Sequence, residues 1–166
     1  MEIDLKTCSG FALISGAALS TTGPTTISNG LVGSLSTVAG FPPGQLLNGS
    51  AIVTDSASVS AAMQDLTSAY NSVKNSTYPA VFVPGELGGV TLNAGIYYNT
   101  GAITLATGNL TLDGPGQYVF RFGAAMSIAA SVGIIPINDA LADSIVWQVT
   151  GAFAIGANVT MSGTVL

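Results

Sequence analysis

The chain is 166 residues long, and Ala (22), Gly (21), Ser (17) and Thr (17) supply almost half of it, while charged residues are only 7%. Three Lys/Arg against eight Asp/Glu, a net charge of −5, exclude ordinary nucleic-acid binding, which needs clustered cations on phosphates. There is no His and only one cysteine, Cys8, which removes the usual general base, the commonest zinc ligand, a Cys-based zinc site and a disulfide framework.

Apolar residues at 48% are spread evenly, enough for a packed core in one domain over 1–166. No apolar run reaches the roughly 18 to 20 residues of a spanning helix, so membrane insertion is not expected. The opening Met1-Glu2-Ile3-Asp4-Leu5-Lys6 is charged and alternating, unlike a signal peptide. Either the chain is not exported by that route, or it is a mature form with an added Met. Asn-x-Ser/Thr sequons at Asn48, Asn75, Asn109 and Asn158 point towards secretion.

In chain order, short strands separated by Gly, Asn and Asp turns begin with Phe11–Ser15, Ala18–Thr22 and Thr25–Ser28, an N-terminal coil over about 11–34. A different rhythm follows. Val59, Met63, Leu66, Tyr70 and Val73 are spaced 4, 3, 4 and 3 apart, which predicts one amphipathic helix over about 57–75. Asp55 or Ser56 is placed to cap it, and Thr77–Pro79 lies beyond its end. Its other side carries Ser60, Thr67, Ser68 and Asn71, so the single apolar stripe lies against something flat and apolar, one side of the strand assembly. Strands resume at Val90–Leu92, Ile96–Asn99, Ala102–Ala106, Asn109–Leu112, Tyr118–Phe122, Ala125–Ala129, Val132–Ile137, Ile145–Val149, Phe153–Gly156 and Val159–Met161. Many alternate at period two, with one face buried and the other exposed.

Internal repetition organises these strands. Gly16-Ala17-Ala18-Leu19-Ser20, Gly101-Ala102-Ile103-Thr104, Gly123-Ala124-Ala125-Met126-Ser127 and Gly151-Ala152-Phe153-Ala154 share one pattern, and around the last three the flanking strands also correspond. Three strands per repeat of about 22 residues, lengthened at Pro136–Ser144, describes a three-sided β-solenoid with its main part over about 87–166. Leu19, Ile103, Met126 and Phe153 point inward. Ala18, Ser20, Ala102, Thr104, Ala125, Ser127, Ala152 and Ala154 then share one outward face, with no charge, no aromatic ring and no side chain larger than Thr. Solvated surfaces normally carry charges of both signs. Two readings account for such a face: small residues permit tight stacking or a covering protein layer, or a flat array of methyls and hydroxyls orders water.

At these residues the chain resembles the microbial ice-binding proteins. Phe11-Ala12-Leu13-Ile14 with Ser20-Thr21-Thr22-Gly23 is similar to that family's opening strands, Gly40-Phe41-Pro42-Pro43-Gly44 to its loop before the helix, and Asp65-Leu66-Thr67-Ser68-Ala69-Tyr70-Asn71 to its helix signature. Leu87-Gly88-Gly89-Val90-Thr91-Leu92-Asn93-Ala94-Gly95-Ile96-Tyr97 is similar to the start of its solenoid, and Val119-Phe120-Arg121-Phe122 and Ile145-Val146-Trp147-Gln148-Val149 to two aromatic-bearing core strands. The resemblance runs from about Thr7 to the end. It implies a mainly β fold, a right-handed β-solenoid with one long α-helix alongside, and adsorption to ice through one flat face marked by a Thr-Ala/Gly-x-Thr pattern. Thr100-Gly101-Ala102-Ile103-Thr104 comes closest to that pattern, and Thr150-Gly151-Ala152-Phe153-Ala154 loses the last hydroxyl. The family also places the N-terminal coil against later ones, which implies Ala18 and Ser20 on the same face. Two departures stand out: about twenty residues between Gly33 and Asp55 leave no room for the capping subdomain of some members, and the chain stops at Leu166 as a strand begins.

Other β-helices are polysaccharide-cleaving enzymes, which need carboxylates converging on a groove. Glu86, Asp113, Asp139 and Asp143 are scattered among turns with only Arg121 near, and Ser or Thr without a base is only a hydroxyl. No catalytic residue, metal site or cofactor is expected. Trp147 and the Tyr and Phe residues alternate with Val and Ile, which reads as core packing. The expected function is ice binding by an extracellular, non-enzymatic protein whose partner is ice with its ordered water. With no titratable group on the face, activity should be flat from pH 5 to 9. The alternative is a fibre-forming or matrix protein that joins copies of itself through an open C-terminal solenoid end.

Overall fold

The computed structural model describes residues 3–21 and 25–166. The Thr22 end of the expected strand Ala18–Thr22, the Thr22-Gly23 part of the opening match and Met1-Glu2 lie outside the described residues. The chain folds into two compact units that divide between Ala69 and Tyr70.

After a short 3-10 turn, the N-terminal unit runs through β1 (Phe11–Ser15), β2 (Leu19–Ser20), β3 (Thr26–Ser28), β4 (Leu31–Ser34), β5 (Val38–Ala39), β6 (Gln45–Leu47) and β7 (Ile52–Val53) into helix α1 (Ser56–Lys74). Each strand pairs in parallel with the third strand after it, giving the sheets β1-β4-β7, β2-β5 and β3-β6. The second coil, β4 to β6, was not foreseen. Its strands hold two to four residues, and Gly33, Gly40 and Pro42-Pro43 interrupt them, so no alternation is long enough to read.

Asp55 caps the helix, accepting the Ala57 and Ser58 N–H groups at 3.1 Å each, and Ser56 is the first helical residue instead. Val59 and Val73 of the apolar stripe are buried together with Ala62 and Ala69 beside it, and Met63, Leu66 and Tyr70 are half-buried. A Cβ at Gly33 would stand 2.7 Å from the Phe11 ring and 3.1 Å from a Val59 methyl, so glycine there lets the helix lie on the β1-β4 sheet. The Thr7 hydroxyl and N–H both donate to Asp65, which pins the start of the chain to the helix and holds that carboxyl below its ordinary pKa.

The larger unit continues with β8 (Val81–Phe82), β9 (Thr91–Leu92), β10 (Gly95–Asn99), β11 (Ile103–Leu105), β12 (Leu110–Asp113), β13 (Tyr118–Phe122), β14 (Met126–Ile128), β15 (Ile134–Ile137), β16 (Ile145–Val149), β17 (Phe153–Ile155) and β18 (Thr164–Val165). They sort into the parallel sheets β8-β10-β13-β16-β18, β11-β14-β17 and β9-β12-β15. Strands recurring every third element are the signature of a three-sided β-solenoid, the fold class the repeats predicted. The chirality preference of parallel crossovers favours the right-handed coil. The strand expected over Val159–Met161 is reduced to one bridge between Gly133 and Thr160.

Inside the solenoid, in-register pairing turns each inward position into a file. Tyr97, Phe120 and Trp147 are paired in successive coils; Phe120 stacks on Tyr97 at 5.4 Å between centroids and on Trp147 at 3.9 Å and 5°. Their polar ends are satisfied, the Tyr97 hydroxyl by the Asn93 carbonyl at 2.6 Å and the Trp147 indole N–H by that of Ser162 at 2.9 Å. Tyr97, Tyr118, Phe120, Phe122 and Trp147 are thus core, as their alternation indicated, whereas Tyr78 and Phe82 are exposed. At its centre the five-stranded sheet is buried on both faces rather than one: Val119, Val146 and Gln148 of β13 and β16, which alternate with the inward residues, are also buried, whereas Val81 and Phe82 of the edge strand β8 are exposed. The end of α1 and the segment after it cover this outer side, where the Tyr70 hydroxyl donates to the Thr150 hydroxyl at 3.1 Å and Arg121 donates to the Ser76 carbonyl. Because Phe120 touches both neighbouring coils, Phe120→Ala should lower stability by roughly 3–5 kcal/mol in a denaturant titration.

Candidate functional site

The sheet β11-β14-β17 differs from its covered neighbour in what it turns outward. Ile103, Met126 and Phe153 form one inward file, and Thr104, Ser127 and Ala154 form the outward file beside it. The Ile103 N–H donates to the Ala125 carbonyl and the Met126 N–H to that of Ala152, each at 2.9 Å, which sets Ala102, Ala125 and Ala152 in a second outward file. These six predicted residues lie on one sheet. Ala102, Ala125, Ser127, Ala152 and Ala154 are exposed, and Thr104 is half-buried.

A third file escaped the sequence reading. The Ala129 N–H donates to the Leu105 carbonyl at 2.9 Å and the Gly156 N–H to that of Ile128 at 2.8 Å, so Ala106, Ala129 and Gly156 continue the face. Their signal was the same period of two, extended one step past Leu105, Ile128 and Ile155. The remaining predicted pair, Ala18 and Ser20, belongs to the N-terminal unit and is exposed there. Ser20 pairs with Ala39, and the Leu19 N–H donates to the Thr37 carbonyl at 2.8 Å. Exposed Thr37 and Ala39 thus complete a smaller patch of the same composition.

The turns show how closely the coils of this face are stacked. A Cβ on Gly151 would stand 2.6 Å from the Ala125 nitrogen, and one on Gly156 would stand 2.6 Å from the Ala130 nitrogen. The corners on either side of β17 therefore rest directly on the coil below, which only glycine permits. On the opposite side the buried Asn99 amide donates to the Val83 carbonyl and accepts the Gly101 N–H, both at 2.7 Å, fixing the turn that enters β11.

The eight expected residues carry no charge, but a carboxylate that the sequence reading did not place here borders the sheet β11-β14-β17. Glu86 forms a single parallel bridge with Thr104 and so adds a last rung to the outward file. Its carboxylate accepts the Thr104 hydroxyl, the Gly88 and Ala106 N–H groups at 2.8 Å each, and the Thr107 N–H at 3.4 Å. Sequence reading placed Glu86 in a turn because the bridge is one residue long and separated from β11 by a whole coil. The hydrogen bond from Thr104, then that from Ala106, holds the Glu86 carboxyl below its ordinary pKa of 4.5. With the folded value below the unfolded one, these bonds stabilise the fold fully above that ordinary value, and the contribution is lost as pH falls through the folded value. Glu86→Gln should therefore lower Tm at neutral pH, and thermal melts should show the gap to the wild type closing as the solution is acidified below pH 4.5.

Several known proteins are similar to this chain in sequence and in fold. The ice-binding-like family profile matches residues 13–166. Ice-binding protein 1 of Shewanella frigidimarina (strain NCIMB 400) is 32% identical over 189 residues, covering 93% of this chain and 21% of its own length. An ice-binding protein of Nostoc sp. (strain HG1) is 32% identical over 168 residues, covering 98% of this chain and 61% of its own. The chain thus spans only part of these relatives. The crystal structure of an ice binding protein from an Antarctic biological consortium superposes with a TM-score of 0.90 at 31% identity, covering 99% of this chain and 76% of that one. With the three-sided coil, its flanking helix and a profile match over most of the sequence, the chain belongs to the ice-binding-like family.

Proposed function

We propose that this protein binds ice without catalysis, adsorbing through the face built from Ala102, Thr104 and Ala106, Ala125, Ser127 and Ala129, and Ala152, Ala154 and Gly156, with Ala18 and Ser20 carried on the N-terminal unit. The observation that carries the reading is the in-register grid of β11-β14-β17, whose outward positions hold nothing larger than Thr and repeat at the strand spacing of about 4.8 Å. Such a grid keeps a water layer in fixed places without a charge to pull it out of order, and that layer merges with the ice lattice. The names of the relatives support the same reading, whereas the fibre-forming alternative gains nothing from them. We place the protein outside the cell, where ice forms. No helix among the described residues is long and apolar enough to cross a membrane.

Ice-recrystallisation inhibition by soluble monomer tests the function. Ala125 is the better position for a blocking substitution than Thr104, because its side chain is exposed and the Thr104 hydroxyl is already engaged by Glu86. Ala125→Tyr should abolish inhibition while circular dichroism remains that of the folded wild type, and Ala129→Tyr should do the same if the third file is part of the face. Retained inhibition in both variants would move the site elsewhere. Since Glu86 ionises below its ordinary range, it stays charged from pH 5 to 9, and inhibition should be constant across that interval.

A further inference from the structure

Glu86 occupies an unusual place for a carboxylate, at the end of an outward file that is otherwise neutral. The segment around it is held to β11 by the backbone: the Thr104 N–H donates to the Gly85 carbonyl at 2.7 Å, and the Leu87 N–H donates to the Thr104 carbonyl at 2.9 Å. One carboxylate oxygen, Oε1, takes the N–H groups of Gly88 and Ala106, and the other, Oε2, is left for the Thr104 hydroxyl. Every one of these partners is a donor, and an ionised carboxylate only accepts. A hydroxyl has one proton, so Thr104 gives it to Glu86 and offers lone pairs alone to anything above the face.

We propose that Glu86 is a positioning residue of the ice-binding face, one that sets the hydrogen-bond polarity of Thr104 so that this post only accepts from the water layer. The proposal rests on the ice-binding reading and deepens it. A hydroxyl free to rotate takes either role and must be ordered when the water layer forms; Thr104 arrives already ordered. Fixing the direction of one hydrogen bond in advance removes part of the entropy cost of docking the layer, which is the general benefit of preorganisation. The closest match to the family's Thr-containing pattern lies at this point of the chain, and a residue outside that pattern controls how its hydroxyl behaves.

Glu86→Gln isolates the effect, because the amide is nearly the shape of the carboxylate. Its carbonyl keeps the Gly88 and Ala106 N–H groups, while its NH2 faces Thr104 and makes that oxygen an acceptor. The displaced hydroxyl proton turns to the Gly85 carbonyl, 3.3 Å away, or outward to solvent. Recrystallisation inhibition would be measured for the wild type, Glu86→Gln, Thr104→Val and the double variant, each verified as folded at the assay temperature. Proton NMR near 0 °C would follow the Thr104 hydroxyl. The expected result is a slowly exchanging hydroxyl resonance in the wild type that disappears in Glu86→Gln. The inhibitory concentration should rise about three- to tenfold, the scale of one net hydrogen bond. Thr104→Val should show a loss of the same size, and Glu86→Gln should add nothing to it. Undiminished inhibition in Glu86→Gln or in Thr104→Val overturns the proposal. So does an equal further loss when Glu86→Gln is placed on Thr104→Val, which would mean that Glu86 acts through its backbone contacts. An inactive wild type, or an Ala125→Tyr variant as active as the wild type, overturns the ice-binding reading itself, a different result from either of those.

Discussion

In-register parallel stacking is the constraint on which the rest of this molecule depends. Because each strand of the larger unit lies directly over its counterpart one coil earlier, a residue has no private environment; it belongs to a file. The inward file Tyr97–Phe120–Trp147 is held by ring stacking and fully enclosed at its centre, while the inward file Ile103–Met126–Phe153 fills the space behind the next sheet. Each additional coil buries the apolar face of the previous one, so stability is built from nearest-neighbour contacts along the stack. The same constraint acts on the outside, where a chemical choice made once is repeated at the strand spacing.

The sheets then diverge according to what covers them. The outer side of β8-β10-β13-β16-β18 carries Val119, Val146 and Gln148 in its central strands β13 and β16, which lie beneath the end of α1 and the Ser76 region and are buried, while Phe82 at its β8 edge stays exposed. The outer side of β11-β14-β17 carries alanine, serine and threonine and stays open. A surface without charge is normally a liability for solubility. Here Glu86 closes the edge of that sheet, capping the free N–H groups of Ala106 and Thr107 and placing a charge where another strand would otherwise add. One carboxylate thus limits the face while leaving its repeated part neutral.

Much of this was legible along the chain, because a repeat of three strands leaves the same mark several times. The equivalence of Gly101-Ala102-Ile103-Thr104, Gly123-Ala124-Ala125-Met126-Ser127 and Gly151-Ala152-Phe153-Ala154 anticipated the observed pairings residue by residue. The helix was equally plain, since its stripe runs over about four turns and Asp55 marks its start. What stayed hidden was whatever lacks length. The strands β4 to β7 are too short and too interrupted to show a period, and the bridge at Glu86 has none at all. Ala106, Ala129 and Gly156 were left off the face for a different reason: they close the expected strands, but the repeated Gly-small-apolar-small pattern that marked the face ends two residues before them.

The sequence by itself determined the solenoid, its helix and the neutrality of the outward positions, because these follow from local periodicity and from side-chain size repeated in each coil. Only the tertiary structure decided that β11-β14-β17 remains bare while the centre of β8-β10-β13-β16-β18 is covered, since that depends on where the end of α1 and its following segment lie. It also decided that Glu86, read in the sequence as a residue of an ordinary turn, ends the file of Thr104, Ser127 and Ala154. Hydrogen bonds between residues a whole coil apart leave no periodic trace in the chain, and the one between Glu86 and Thr104 is of that kind.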